Sequence, residues 1–345
     1  MRERHVIAFL ALLSSVVAPS IAGSEDASVT PREHRRPQNQ TYLVFPEWCL
    51  VHSPNEFATF TADHPPSRYP FFDNLGQLWS SYGEVIEATE RYEPNPGYHA
   101  MILVIATSTT AEYALRAGYE SLIGRTVEVT QSGDTTAEER FGAQVAREYV
   151  DFINQRPWYE FDYPNALYRL WFETPLLGGD LVRKWERRYV LTTEYLFKAG
   201  YADLLRAGTR ATYEVPLEHT AVVVEDLPEP LPDGVELEVI ETLDDGAVVG
   251  LLPRYHAFGF QAESLALAGA RFREVAGNRG PILLSALGPA GAAERSVEHR
   301  RFLVQPIATR PGEERVVLEV MVADLARAFL DLRGAGYELE HVYDY

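Results

Sequence analysis

Cysteine is almost missing from this chain: Cys49 stands alone in 345 residues, which excludes an intramolecular disulfide and leaves the fold to its core. No lipobox cysteine follows the apolar N-terminal stretch, so a lipoprotein is not expected. Positive charge is scarce. Lys and Arg number 31 against 50 Asp and Glu, a formal net charge of −19, and the body of the chain has no basic run. Nucleic acids and anionic lipid surfaces select concentrated positive charge, so no nucleic-acid partner is expected. The recognised catalytic patterns are missing too: there is no HExxH, no glycine-rich phosphate loop, no GxSxG elbow and no metal-type cysteine pairing. Neither Glu112 nor Glu194 is followed by the histidine that a helical carboxylate metal site needs. No metal and no cofactor is expected.

Long apolar runs are confined to the start. Arg2, Arg4 and His5 precede an apolar stretch from Val6 to Val17, and Ser20-Ile21-Ala22 supplies small residues of the kind a signal peptidase reads. Residues 1–22 are therefore expected to be a signal peptide directing export to the periplasm or outside, with a membrane anchor through residues 6–22 as the alternative. Membrane contact is expected only if that segment is uncleaved. Residues 23–40, polar and proline-containing, read as a flexible tether. The local cluster Arg32, His34, Arg35 and Arg36 falls within it.

What the chain does have is a phrase used twice. Residues 112–123, EYALRAGYESLI, align without a gap with residues 194–205, EYLFKAGYADLL, and a Thr-Thr pair precedes each. Such self-similarity indicates one structural unit used twice. Glu112 precedes Arg116, and Glu194 precedes Lys198, by four residues, the favourable order for an ion pair along a helix. Leu115, Tyr119 and Leu122, with Phe197, Tyr201 and Leu204 in the second copy, recur at i, i+4, i+7 and read as the buried stripe. Gly118 and Gly200 sit mid-phrase, where glycine costs about 1 kcal/mol relative to alanine. A helix crossing at these glycines, about a pseudo-twofold, with Glu112 facing Lys198 and Glu194 facing Arg116, would account for them. Two similar helices on separate surfaces are the alternative.

Residues 41–214 read as a helical domain. Phe71, Leu75, Leu78, Tyr82 and Val85 trace an amphipathic stripe, and Thr136 with Glu139 makes a capping box ahead of Phe141, Val145, Tyr149 and Phe152. Residues 157–175 are rich in aromatics, which suits packing. Residues 215–345 read as an α+β domain of short β-branched runs in hairpins, with turns at Asp245-Gly246 and Pro311-Gly312. Helices are expected over Phe258 to Val275 and Leu325 to Leu332, the second with Asp324 as N-cap. The fold class is thus α+β: an N-terminal helical domain containing a duplicated helix, then a mostly antiparallel sheet domain with two helices.

The wording of TYLVFPEW at Thr41, STTAEYALRAGYESLIGR at Ser108, RKWERRYVLTTEYLFKAGY at Arg183 and EHVYDY at Glu340 resembles a group of uncharacterised exported or membrane-anchored bacterial proteins with no assigned activity. The resemblance implies export and a shared fold and carries over no catalytic residue. The function read from the residues is non-enzymatic binding of an apolar small molecule or an envelope protein through the helical domain, with Tyr113, Tyr195, Trp158, Tyr159 and Trp171 as ligand-binding candidates. Two rivals stand beside it: a hydrolase-like enzyme using Glu112, Glu194 and His99, and a membrane-tethered component of an envelope complex. Cys49 and His52 are close in sequence, but a nucleophile and its base are normally assembled from distant residues.

Overall fold

A computed structural model describes residues 28–154, 156, 158–209, 218–296 and 298–345. The expected signal segment and the start of the tether lie outside the described residues. The chain is α+β, with a helical N-terminal part and two four-stranded antiparallel sheets towards the C-terminus. Among the described residues, the α-helices of five residues or more are α1 (Gln40–Val44), α2 (Cys49–Asp63), α3 (Phe71–Thr89), α4 (Pro96–Tyr119), α5 (Ala137–Ile153), α6 (Tyr163–Phe172), α7 (Leu181–Thr209), α8 (His256–Leu267) and α9 (Leu325–Gly334). Among the described residues, no helix is long and apolar enough to cross a membrane.

Two compact units divide these elements, and both are discontinuous in sequence. One takes residues 48–76 and 101–214; the other takes residues 28–47, 77–100 and 215–345, so the partition passes through α3 and α4.

In the first unit, α5 starts at the expected capping box, with Thr136 and Glu139 each accepting the other's backbone N–H. Phe141 and Val145 are buried on its inner face as the spacing requires. The α4 helix continues into a π turn, Glu120–Gly124, whose wider bore brings the Glu120 carboxylate over Gly124.

The second unit contains a duplication that the sequence reading missed. Strands β1 (His219–Glu225), β2 (Glu238–Thr242), β3 (Val248–Pro253) and β4 (Arg271–Val275) pair in the order β2-β3-β1-β4, with α8 between β3 and β4. Strands β5 (Pro281–Pro289), β6 (Arg300–Pro306), β7 (Glu313–Met321) and β8 (Glu338–Tyr343) pair as β6-β7-β5-β8, with α9 between β7 and β8. The two halves share strand order, helix position and both bulges. The ladder slips between Val223 and Val224 and between Ser285 and Ala286, and again between Val239 and Glu241 and between Arg301 and Leu303, each time 62 residues apart. Leu265, Ala268 and Gly269 are matched by Leu332, Ala335 and Gly336, and both glycines have positive φ where the chain leaves its helix. Val222, Phe258, Phe272, Ile282, Leu318 and Phe329, from both halves, lie in one apolar core.

Two expectations need correction here. The helix expected over residues 258–275 stops at Leu267, because Gly269 turns the chain and Arg271–Val275 become β4. Residues 28–40 are held rather than loose. The buried Glu274 carboxylate accepts from the hydroxyls of Ser28 and Thr30, each at 2.8 Å, and Arg36 donates to the Tyr345 carbonyl at 2.7 Å.

Candidate functional site

The two copies of the repeated phrase meet. Arg116 Nη2 donates to Glu194 at 3.0 Å and Lys198 Nζ lies 3.4 Å from Glu112, while within each helix Arg116 reaches Glu112 at 3.7 Å and Lys198 donates to Glu194 at 2.8 Å. Exchanging the copies turns the pair Arg116–Glu194 into Lys198–Glu112, which is the expected pseudo-twofold. The helices run antiparallel. Farther along, Arg187 grips Glu120 with both nitrogens, at 2.8 and 3.0 Å, and Arg183 donates to the Gly124 carbonyl at 3.1 Å.

Two details differ from expectation. The crossing is not made at the glycines: a Cβ on Gly118 or Gly200 meets nothing within 4 Å. The stripe read as buried faces outwards, with Leu115, Leu122 and Phe197 exposed to 76, 75 and 72%. Tyr119 is half-buried, and the Leu204 side chain lies outside what the structure describes. The inward faces carry Tyr113 and Ala117 in one copy and Tyr195, Ala199 and Ala202 in the other. Tyr113 joins Tyr69, Phe71 and Leu75 in one apolar cluster, and Tyr195 joins Phe141, Phe161 and Tyr163 in a second. The charged residues turn inwards because each finds a partner across the twofold, and that pairing takes the helix face with it.

The electrostatics hold Glu194, Arg116 and Lys198 in their charged forms. Burial pushes Glu194 upwards, but the Arg116 and Lys198 charges outweigh it and hold the carboxyl at about 2. Burial pulls Arg116 and Lys198 down, and the carboxylates opposite overcome it, so both are raised. Arg116 also lies 4.6 Å from the Phe57 ring centre, and Lys198 lies 5.6 Å from that of Tyr149. General acid–base catalysis wants a group that titrates near the working pH. Glu194, Arg116 and Lys198 are far from it, and burial raises the Tyr113 and Tyr195 hydroxyls as well.

The remaining candidates are spread out. His99 belongs to the other unit, where its Nδ1 lies 3.2 Å from the Tyr82 hydroxyl. Trp158 is half-buried and stacks on Tyr201 at 5.5 Å, and Tyr159 packs against the cluster around Phe161. Trp171 is partly exposed, edge-on to Trp185 at 6.2 Å, and donates its indole N–H to the Thr192 hydroxyl at 3.0 Å. Cys49 and His52 share the first turns of α2.

A feature the sequence reading did not single out surrounds Trp171. The Arg188 guanidinium, 1% exposed, sits 5.5 and 5.6 Å from the Trp171 and Trp185 ring centres while bonding Glu138 and the Thr174 and Pro175 carbonyls. Buried beside it are the Lys184–Glu138 pair at 2.9 Å and the Arg183–Glu139 pair at 2.8 Å. The cations of the run Arg183 to Arg188 therefore point inwards. The opposite side of α7 is left to Val182, Trp185 and Tyr189, joined by Tyr168, Trp171 and Phe172 of α6, all exposed. The run RKWERRY carries the signal in its alternation of charge and aromatics, but a charged run is normally assigned to solvent.

Among the described residues, no group of three or more His, Cys, Asp or Glu is placed to hold a metal ion. Two open hollows, of about 440 Å³ beside Arg68 and Glu128 and about 380 Å³ beside His219 and Leu237, are lined by neither the quartet nor the aromatic face. No protein family, curated protein or solved structure matches the chain.

Proposed function

We propose that this is an exported, non-enzymatic binding protein whose helical unit docks an envelope partner protein through the aromatic face of α6 and α7. The observation that carries this reading is the exposure of Tyr168, Trp171, Phe172, Trp185 and Tyr189, between 38 and 75%, on helices whose charges are turned inwards. At roughly 150–250 Å² per aromatic side chain, these rings alone present on the order of 500 Å². Leu177 and Val182 add to it. Typical monomers expose apolar patches of about 300–600 Å² at most. Tyrosine and tryptophan are the side chains that anchor protein interfaces. The Trp171 and Trp185 indoles are braced by Arg188 and Thr192, so little side-chain freedom is left to lose on binding. An exposed face of this kind suits a protein surface better than an enclosed small molecule. Export rests on the N-terminal segment and on the resemblance of the chain's wording to exported bacterial proteins.

Photocrosslinking in the native host tests the reading. With benzoylphenylalanine at position 189, a defined protein adduct is expected, and with the same probe at Gln144, on the polar side of α5, none. Equal labelling at both positions, or lipid adducts alone at 189, would sink the proposal.

A further inference from the structure

The two half-sheets have matching edge strands that are treated differently. β2 and β6 each stand at one edge of their sheet and carry the same bulge, which puts Ile240 of one at the place of Phe302 in the other. β6 is covered. Phe302 is 7% exposed, under the rings of Tyr42 and Phe45 at 5.8 and 5.9 Å, and Gln77 of α3 donates to the Pro306 carbonyl at 2.7 Å. β2 is bare: all five of its residues are exposed, Val239 to 52% and Ile240 to 43%. The Leu243 amide bonds across the hairpin to the Ala247 carbonyl at 2.8 Å, so the N–H and C=O of Thr242, one residue earlier, point to the outer edge. A bare edge is a template for another strand.

Charge decides what can pair there. Between Arg210 and Arg254 the sequence has eleven Asp and Glu and no Lys or Arg. Within β2, Glu238 and Glu241 flank Val239 and Ile240, and among the described residues neither glutamate has a cationic partner. Arg271 and Arg273, on β4 at the opposite edge, are taken up by Glu225, Asp226 and Asp245. An antiparallel pairing of two β2 strands that sets Val239 against Ile240 also sets Glu238 against Glu241, and like charges facing across strands are destabilising. A second copy, at a net charge of −19, is therefore rejected, while a basic strand is favoured. Charges on an edge strand commonly serve to block pairing. Here they block it for acidic chains and favour it for basic ones.

We propose that β2 binds an extended basic peptide, a segment of a partner protein in which two Lys or Arg side chains flank a pair of apolar ones, added as a fifth strand to the first half-sheet. The free edge supplies the backbone hydrogen bonds, Glu238 and Glu241 face the cations, and Val239 and Ile240 pack against the apolar pair. An open hollow of about 380 Å³, lined by His219, Leu231, Val235, Leu237 and Pro253 as well as Glu238, adjoins the start of β2 and takes an apolar side chain beyond the nearer cation. This site belongs to the sheet unit and the aromatic face of α6 and α7 to the helical unit, so the two proposals fail separately.

Isothermal titration of the full chain with the peptide acetyl-Leu-Lys-Ile-Val-Lys-Leu-amide tests this; its near-palindromic order serves a parallel or an antiparallel strand. Binding is expected, and it should weaken at least about tenfold between about 0.05 and about 0.5 M salt, because exposed charges are screened. The same peptide with glutamates for lysines, or with all its amides N-methylated, should not bind: the first loses the charges and the second the strand hydrogen bonds. Glu238→Lys with Glu241→Lys, at exposed positions, should keep the melting temperature and reverse the choice between the lysine and glutamate peptides. On the unsubstituted chain, hydrogen exchange of the Thr242 amide should slow when the lysine peptide is bound, a readout that holds even if the variant misfolds. No binding of the lysine peptide, equal binding of the N-methylated one, an unchanged preference in the charge-reversed chain, or a dimer of the full chain that protects the Thr242 amide without peptide would each overturn the proposal.

Discussion

Glu194 lies between two cations, and they decide how its contribution depends on pH. Its folded carboxyl titrates at about 2, below the ordinary value of about 4.3. The stabilisation is therefore complete above the ordinary value and lost as the pH falls towards 2. Glu194→Gln should cost about 1–3 kcal/mol at pH 7 and almost nothing at pH 2, read from urea unfolding at both. An equal cost at both would mean that shape, not charge, is what the site needs. Glu47 has the opposite sign. Burial raises its carboxyl to about 7, although a hydrogen bond from Tyr98 and the charge of Arg254 pull it down. One carboxylate oxygen is buried without a hydrogen-bond partner. The fold thus favours the protonated form, and stability falls as the pH rises from about 4 to 7 and stays lower above. Glu47→Gln is expected to raise the melting temperature at pH 8 and to leave it unchanged at pH 4; a loss at pH 8 would show that the ionised form is the stabilising one.

At the scale of elements, local chemistry was legible and facing was not. The capping box ahead of α5 is local, so Thr136 and Glu139 declared it in sequence and the structure contains both of its bonds. Thr136→Ala should therefore cost about 1 kcal/mol. Asp324 holds the N-cap position of α9 but makes no side-chain capping bond, and Asp324→Ala should change little. Thermal melts of the two variants distinguish a cap that bonds from one that merely occupies the position. The facing of α4 and α7 is different in kind. Periodicity found a stripe at Leu115 and Phe197, but the buried stripe runs through Tyr113 and Tyr195, two residues away. No pattern within a single helix shows that Arg116 and Lys198 have carboxylates waiting on another helix. The ion pairs themselves were legible because the repeat supplied both partners; the inward turn of the Arg183 to Arg188 run was not, since Glu138 and Glu120 are distant in sequence. The helix-to-strand change after Leu267 was masked by apolar residues that fit either period.

At the scale of the whole molecule, each unit contains an internal duplication, and only one of the two was written in the sequence. The helical repeat survives as recognisable wording, with six of twelve positions identical, because its side chains pair with one another across the axis. Beyond a leucine, an alanine and a glycine where each helix ends, the two half-sheets share in register only valines such as Val248 with Val316, Val249 with Val317 and Val275 with Val342, since a strand needs little more than alternation and a glycine turn to keep its place. What distinguishes the halves is their cover. On the second sheet, Thr41 accepts from the Leu283 amide at 2.9 Å and donates to the Tyr343 carbonyl at 2.7 Å, and Phe45 meets the Tyr343 ring edge-on at 5.1 Å and that of Phe302 at 5.9 Å. Gln305 reaches the Gln77 carbonyl and the Ser81 hydroxyl, both at 3.0 Å. Residues 28–47 and 77–100 thus belong to the sheet unit physically, although they precede it in sequence by more than a hundred residues. A fragment of residues 215–345 should consequently expose Phe302 and Tyr343, bind a hydrophobic dye and lose slow amide exchange at Leu283. If the fragment kept that protection unaided, the duplicated sheets would be self-sufficient and the N-terminal segments an addition to a fold already complete; loss of protection, restored by supplying residues 28–100 in trans, would establish that the second half-sheet is finished only by chain from the far end of the sequence.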